Sequence, residues 1–173
     1  MNEVLSCLLT RRSVKGYLPT PVEEDKLEAV LQAGTYAACG MGRQAGKIVV
    51  LQKPEDITEL ERMNAAILGN PDAHPFYGAP VVCVVFADTR VNTWIEDGSL
   101  VIGNMMAAAH SLGLGSCWIH RARQEFDSPE GKALMKKWGV EDSYAGIGHC
   151  ILGYAAKEPA PAKPRKADFI VRV

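Results

Sequence analysis

The stretch from Val91 to Leu112 constrains this chain most. It reads as the longest helix, and Trp94, Ile95, Leu100, Ile102, Met105, Met106 and Ala109 cover most of its circumference. A helix that is apolar all round has to be wrapped by sheet, by other helices or by a second subunit. The run from Leu100 to Ile119 is long enough to span a bilayer. Asn104, His110, Ser111 and Ser116, with Gly113 and Gly115 near its end, argue instead for a helix buried in a soluble protein. A chain of 173 residues, 47% hydrophobic and 23% charged, has the material for that core and the size of one domain. A net charge of −1 gives no general attraction to nucleic acid or to acidic membranes, and neither is expected as a partner.

The other elements follow from period and punctuation. Asn2 caps a short helix to Leu9, with Val4, Leu5, Leu8 and Leu9 at helical spacing. Thr20-Pro21 opens a second helix with Glu23, Glu24 and Asp25 in its first turn and Gly34 as one possible end. Ile48 to Leu51 is a short strand. Pro54 starts a helix to about Ile67, broken by Gly69-Asn70-Pro71. Pro80 to Ala87 is continuously apolar, as in a strand buried on both faces. Ser116 to Ile119 and Gly146 to Tyr154 are further strands, and Ser128-Pro129 opens a helix that ends at Gly139. From residue 155 to 173 the chain becomes an extended tail with Pro159, Pro161 and Pro164, and its end, Phe169 to Val171, has the character to add to a sheet edge. No repeat and no linker divides the chain. No basic start followed by an apolar run marks a signal peptide. Cys7, Cys39, Cys83, Cys117 and Cys150 are dispersed without a CxxC pair, which favours reduced thiols and a cytoplasmic location.

Most catalytic patterns are missing. Cys117-x-x-His120 and His149-Cys150 are the close pairs of metal-ligand type, and neither has a partner pair at zinc spacing. His74, His110, His120 and His149 therefore read as core or interface histidines. There is no G-x-S-x-G and no P-loop. Gly40, Gly42 and Ala45 form a G-x-G-x-x-A match, but it follows a helix and precedes a strand, the reverse of a dinucleotide fingerprint. Cys39 is either a thiol activated by nearby cations or a small buried residue. Glu96 and Asp97 point in different directions on a helix and suit a polar contact at its start better than acid–base work.

Cations remain. Arg11, Arg12 and Lys15 cluster around Ser13. Arg43 and Lys47 lie in a glycine-punctuated loop, and Lys163, Arg165 and Lys166 lie in the tail. Alone, the first cluster reads either as a basic helix end answering the dipole or as an anion site built from forked guanidinium donors and a hydroxyl. Brought together by the fold, the three groups would make a pocket for a phosphorylated cofactor.

Five ordered pieces resemble the nitroreductase family of FMN-dependent oxidoreductases. Arg11-Arg12-Ser13-Val14-Lys15-Gly16-Tyr17 resembles its opening R-R-S-x-R/K-x-F/Y, and the helix after Pro21 matches in place. Ala38 to Gly46 sits where the family has A-P-S-x-x-N-x-Q-P-W. Asp97, Asn104 and Ala109-His110-Ser111-Leu112-Gly113-Leu114-Gly115-Ser116-Cys117-Trp118-Ile119 resemble its central helix and A-H-x-L-G-L-G-S-x-W-I ending. Gly153-Tyr154 and Arg165 resemble its closing element.

The resemblance implies a three-layer α+β fold with a mainly antiparallel central sheet flanked by helices. It also implies an intertwined homodimer with FMN at the subunit interface, the tail reaching the partner's sheet. Arg11 and Ser13 would then hold the FMN phosphate, with Arg12 close by. Lys15 would stand at the pyrimidine edge, where a cation favours the charge a flavin gains on reduction. Gln44 would reach the ring or ribityl chain from the partner's loop, and Cys117, Trp118 and Ile119 would back the ring with main chain. Arg165, with Lys163, would close on the phosphate. The chain departs from the family at Ala38, Gly42 and Ala45-Gly46, which lack its Pro, Asn and Pro-Trp. The expected activity is transfer of reducing equivalents from NAD(P)H through flavin N5 to a small acceptor such as a nitroaromatic or quinone, with no protein acid or base assigned. A flavin-binding module without turnover is the alternative.

Overall fold

A computed structural model describes residues 1–173 throughout. Four strands form one antiparallel sheet: β1 (Gly46–Leu51), β2 (Val81–Asp88), β3 (Gly115–Ile119) and β4 (Tyr144–Gly153), in the order β1-β2-β4-β3. The helices are α1 (Glu3–Thr10), α2 (Glu24–Thr35), α3 (Pro54–Leu68), α4 (Trp94–Ser111), α5 (Ala122–Asp127) and α6 (Pro129–Lys137).

Every residue of β2 is buried, because the strand is central and covered on both faces. Its alternation sorts two cores. Val82, Val84 and Phe86 join Leu60 and Met63 of α3, Phe126 of α5 and Leu134 and Met135 of α6. Val81, Cys83, Val85 and Ala87 join Leu27 and Val30 of α2 and Val101, Ile102, Met105 and Ala109 of α4. The result is a three-layer α+β architecture with α2 and α4 on one face and α3, α5 and α6 on the other. The central helix is wrapped by sheet and by α2 on one side only. Leu100 stays 47% exposed and Ile95 51%.

Several caps fall where side-chain chemistry requires them. Asn2 accepts from Leu5 N at 2.9 Å, and Ser128 accepts from Gly131 N at 3.0 Å. The second helix begins at Glu24 rather than at Thr20-Pro21. Residues before a proline avoid helical dihedrals, and Val22, 7% exposed, anchors the extended lead-in in the core. Helix α2 also runs through Gly34. Helix α5 is too short to leave a periodic signal. Phe169, Ile170 and Val171 join no sheet edge within the chain and are 76%, 74% and 78% exposed.

Candidate functional site

After α1 the basic stretch runs extended along the β3 edge of the sheet. Val14 N donates to Ser116 O at 3.0 Å. Leu18 N donates to Tyr154 O at 2.9 Å, and Ala156 N donates to Gly16 O at 3.0 Å. Val14 and Tyr17 are buried and pin the segment, and the Tyr17 hydroxyl donates to Val14 O at 3.0 Å. The two readings of this stretch divide between its arginines. Arg12 Nη1 turns back to Leu9 O (2.9 Å) and Arg11 O (2.7 Å), carbonyls at the α1 C-terminus. Arg11 Nη1 is buried with no hydrogen-bond partner, and Ser116 Oγ is in the same state. None of Arg11, Arg12 and Lys15 belongs to an ion pair.

Cys117, Trp118 and Ile119 turn their side chains inward. Cys117 and Ile119 enter the α3–α5–α6 core, while Trp118 packs on the opposite face. Gly148 makes room for the indole, since a Cβ there would lie 2.7 Å from Trp118 Nε1. What β3 offers at its outer edge is therefore main chain. Burial pushes the Cys117 thiol above its usual range, with the Ser13 hydrogen bond and the Lys15 and Arg11 charges pulling partly back. The backbone places the stretch here directly: Ser13 bridges to Ser116, next to Cys117, and Lys15 lines the same hollow as Cys117.

A hollow of about 400 Å³ opens here, lined by Lys15, the chain from Cys117 to Arg121, and Tyr77 with its loop. Lys15 Nζ lies 5.9 Å from the Tyr77 ring centre. Tyr77 (φ 53°) and Arg121 (φ 82°) both hold left-handed backbone conformations. Asn64, fully buried, donates to His120 O at 2.9 Å and accepts from Arg121 Nε at 2.9 Å. Asn64 and Arg121 stand in no motif, and Tyr77 reads in the sequence only as part of an aromatic loop from His74 to Tyr77. Asn64 leaves one signal, a polar residue inside the apolar stripe of α3.

Gln44 is not brought to this hollow. It lines another, of about 360 Å³, with Cys39, Asp97 and Val101 by β1, at the far edge of the sheet from β3. Asp97, 3% exposed, accepts from Gly40 N at 3.0 Å and from Thr93 Oγ1 at 3.2 Å, which fixes the glycine loop. Lys47 Nζ stacks 4.4 Å from the Tyr144 ring centre and does not join the basic stretch. Lys163 and Arg165 are exposed in the tail without ion pairs, although Lys157 to Ala160 approach Ser13 to Gly16 around a hollow of about 230 Å³. His149 is fully buried, with Nε2 2.8 Å from Glu125 Oε2 and Nδ1 3.2 Å from Ile119 O, and His110 Nε2 meets Thr10 Oγ1 at 2.8 Å.

A buried guanidinium nitrogen without a partner, serine hydroxyls on the adjoining strands and a main-chain edge suit a planar ligand with a phosphate tail. Comparison with known proteins agrees with that class. The model of the nitroreductase family matches residues 8–77 and 67–154. A nitroreductase with bound FMN from Bacteroides fragilis has a solved structure that aligns at a TM-score of 0.91 and 31% identity, over 100% of each chain. Another with bound FMN, from Desulfitobacterium hafniense, aligns at 0.91 and 27%, over 100% of this chain and 99% of that one. The NADPH-flavin oxidoreductase of Vibrio harveyi is 24% identical across 99% of this chain and 73% of its own length. This chain belongs to the nitroreductase family.

Proposed function

We propose that this protein is an FMN-dependent oxidoreductase that passes reducing equivalents from NAD(P)H to a small acceptor, a nitroaromatic, a quinone or a similar molecule. The observation that carries the reading is the buried, unpartnered Arg11 Nη1 on the stretch that also carries Ser13 and Lys15. Leaving a charged donor buried and unpaired is costly, and a phosphate oxygen removes that cost. When bound, FMN supplies the hydride-accepting isoalloxazine ring. Arg11 and Ser13 hold the phosphate. Lys15 places a positive charge at the pyrimidine edge. Cys117, Trp118 and Ile119 present the strand edge behind the ring and exclude water from that face.

The rest of the pocket comes from a second copy. No residue of α1 is buried within the chain, yet Val4, Leu5, Leu8 and Leu9 are 68%, 51%, 59% and 60% exposed. A contiguous run of exposed apolar side chains on one helix marks an interaction site. A homodimer covers α1 and the bare face of α4, and brings Gln44 of one copy to the β3 edge of the other. Lys163 and Arg165 of the tail then close over the phosphate.

The visible spectrum of the purified protein, followed by anaerobic NADH and NADPH, tests this. Yellow protein that bleaches supports the reductase. Yellow protein that stays oxidised rejects it in favour of a flavin-binding module without turnover, a reading favoured by Gly42 and Gly46 where the family carries Asn and Trp. Colourless protein with no thermal shift on adding FMN rejects both.

A further inference from the structure

Arg121 is not used by the cofactor reading. It lines the hollow beside Lys15 and holds a φ of 82°, a conformation natural to glycine and strained for a residue with a Cβ. Its side chain is aimed. Nε donates to Asn64 Oδ1 at 2.9 Å, and Asn64 is locked in turn by donating to His120 O at 2.9 Å. The two terminal guanidinium nitrogens make no hydrogen bond, and Arg121 belongs to no ion pair. No aspartate or glutamate lines the hollow, where Lys15 is likewise unpaired.

A planar fork held by a buried amide, with its outer pair of donors free, matches the two oxygens of a carboxylate. We propose that Arg121 is a specificity-determining residue, which selects carboxylate-bearing molecules among those that enter this hollow beside the flavin. The inference rests on the flavin reading above and deepens it by naming the substrate class.

FMN-loaded wild type and Arg121→Gly are titrated with benzoate and with neutral benzamide, followed by the visible flavin spectrum, alongside the FMN Kd and Tm. Glycine removes the fork and fits the left-handed backbone, a gain that offsets part of the loss of the Asn64 bond. The expected result is a benzoate Kd raised roughly ten- to a hundredfold, the loss of one charged hydrogen-bonded contact. The FMN Kd and benzamide Kd stay the same, which separates lost selectivity from a damaged fold, while Tm registers only the loss of the Asn64 bond. Arg121→Lys keeps the charge without the fork and regains only part of the benzoate affinity. In turnover, the preference for 4-nitrobenzoate over nitrobenzene falls in the glycine variant.

Unchanged benzoate affinity in Arg121→Gly overturns the inference, and a lowered Tm beside it marks the Asn64 link as structural. An FMN Kd that weakens together with benzoate makes Arg121 a cofactor residue and also overturns it. A wild type that takes up FMN but holds benzoate no better than benzamide sinks the inference alone. A wild type that takes up no FMN sinks the flavin reading and the inference with it.

Discussion

Arg12 commits its guanidinium to the carbonyls of Leu9 and Arg11, whereas Arg11 keeps a buried nitrogen without a partner. Substitution should therefore separate them. Arg11→Ala is expected to weaken FMN binding by about 1.5–3 kcal/mol, the size of a hydrogen bond to a charged group. Arg12→Ala is expected to leave FMN affinity near wild type and to cost the α1 end at most about 1 kcal/mol. Fluorescence titration with FMN checks both, and equal losses in the two variants would contradict the division of labour. The basic cluster of Arg11, Ser13 and Lys15 was legible as charge, but alone it reads equally as a helix end; the resemblance to the family is what made it a phosphate-site candidate. The division between the arginines was not visible, since it depends on which side chain turns back toward α1. Asn64 and Arg121 were hidden for a different reason. A buried amide and a strained φ are properties of a folded site, and no local spacing encodes them.

Among the elements, β3 depends on a space as much as on a side chain. The Trp118 indole occupies the place a Cβ on Gly148 would need. Gly148→Ala is expected to cost about 1–3 kcal/mol through overpacking, read as a lower urea midpoint with unchanged slope. Helix α1 makes the opposite prediction. Leu5 and Leu8 share a face, and neither is buried in the chain. Leu5→Glu with Leu8→Glu is expected to leave the far-ultraviolet circular dichroism intact while moving the protein from dimer to monomer in sedimentation. A dimer that survives takes α1 out of the interface. Long elements with clear periods, α3, α4 and β2, were legible from sequence within a few residues. The six residues of α5 were not, because two turns do not show a period. The start of α2 was misplaced because Thr-Pro followed by acidic residues mimics a helix opening, while the burial of Val22 decides the matter from outside the segment.

Across the whole molecule, burial of protonated groups sets the alkaline limit. Burial pushes the Cys83 thiol from its usual 9.0 to about 12, lifts Cys150 well above its usual value and raises the Tyr17 phenol. The folded chain keeps these protons where the unfolded chain would release them. Their contribution is full below about pH 9 and is lost as the pH climbs through the folded values. Urea midpoints are expected to hold steady near neutrality and to fall above about pH 9, with Cys83→Ala reducing that slope. The burial of β2 on both faces was legible from its continuous apolar run, while the three-layer order came from the family resemblance. The assembly was not legible, because an apolar helix does not state whether its own chain or another covers it.

The placement of β1 and β3 at opposite sheet edges has a genetic consequence. If each pocket takes Arg11 from one subunit and Gln44 from the other, an Arg11→Ala allele and a Gln44→Ala allele damage different walls. In a mixed dimer both lesions fall in the same pocket, and the other pocket is built entirely from wild-type residues. Two defective alleles expressed together should then restore activity that neither has alone, and this complementation should disappear when both substitutions sit on one allele.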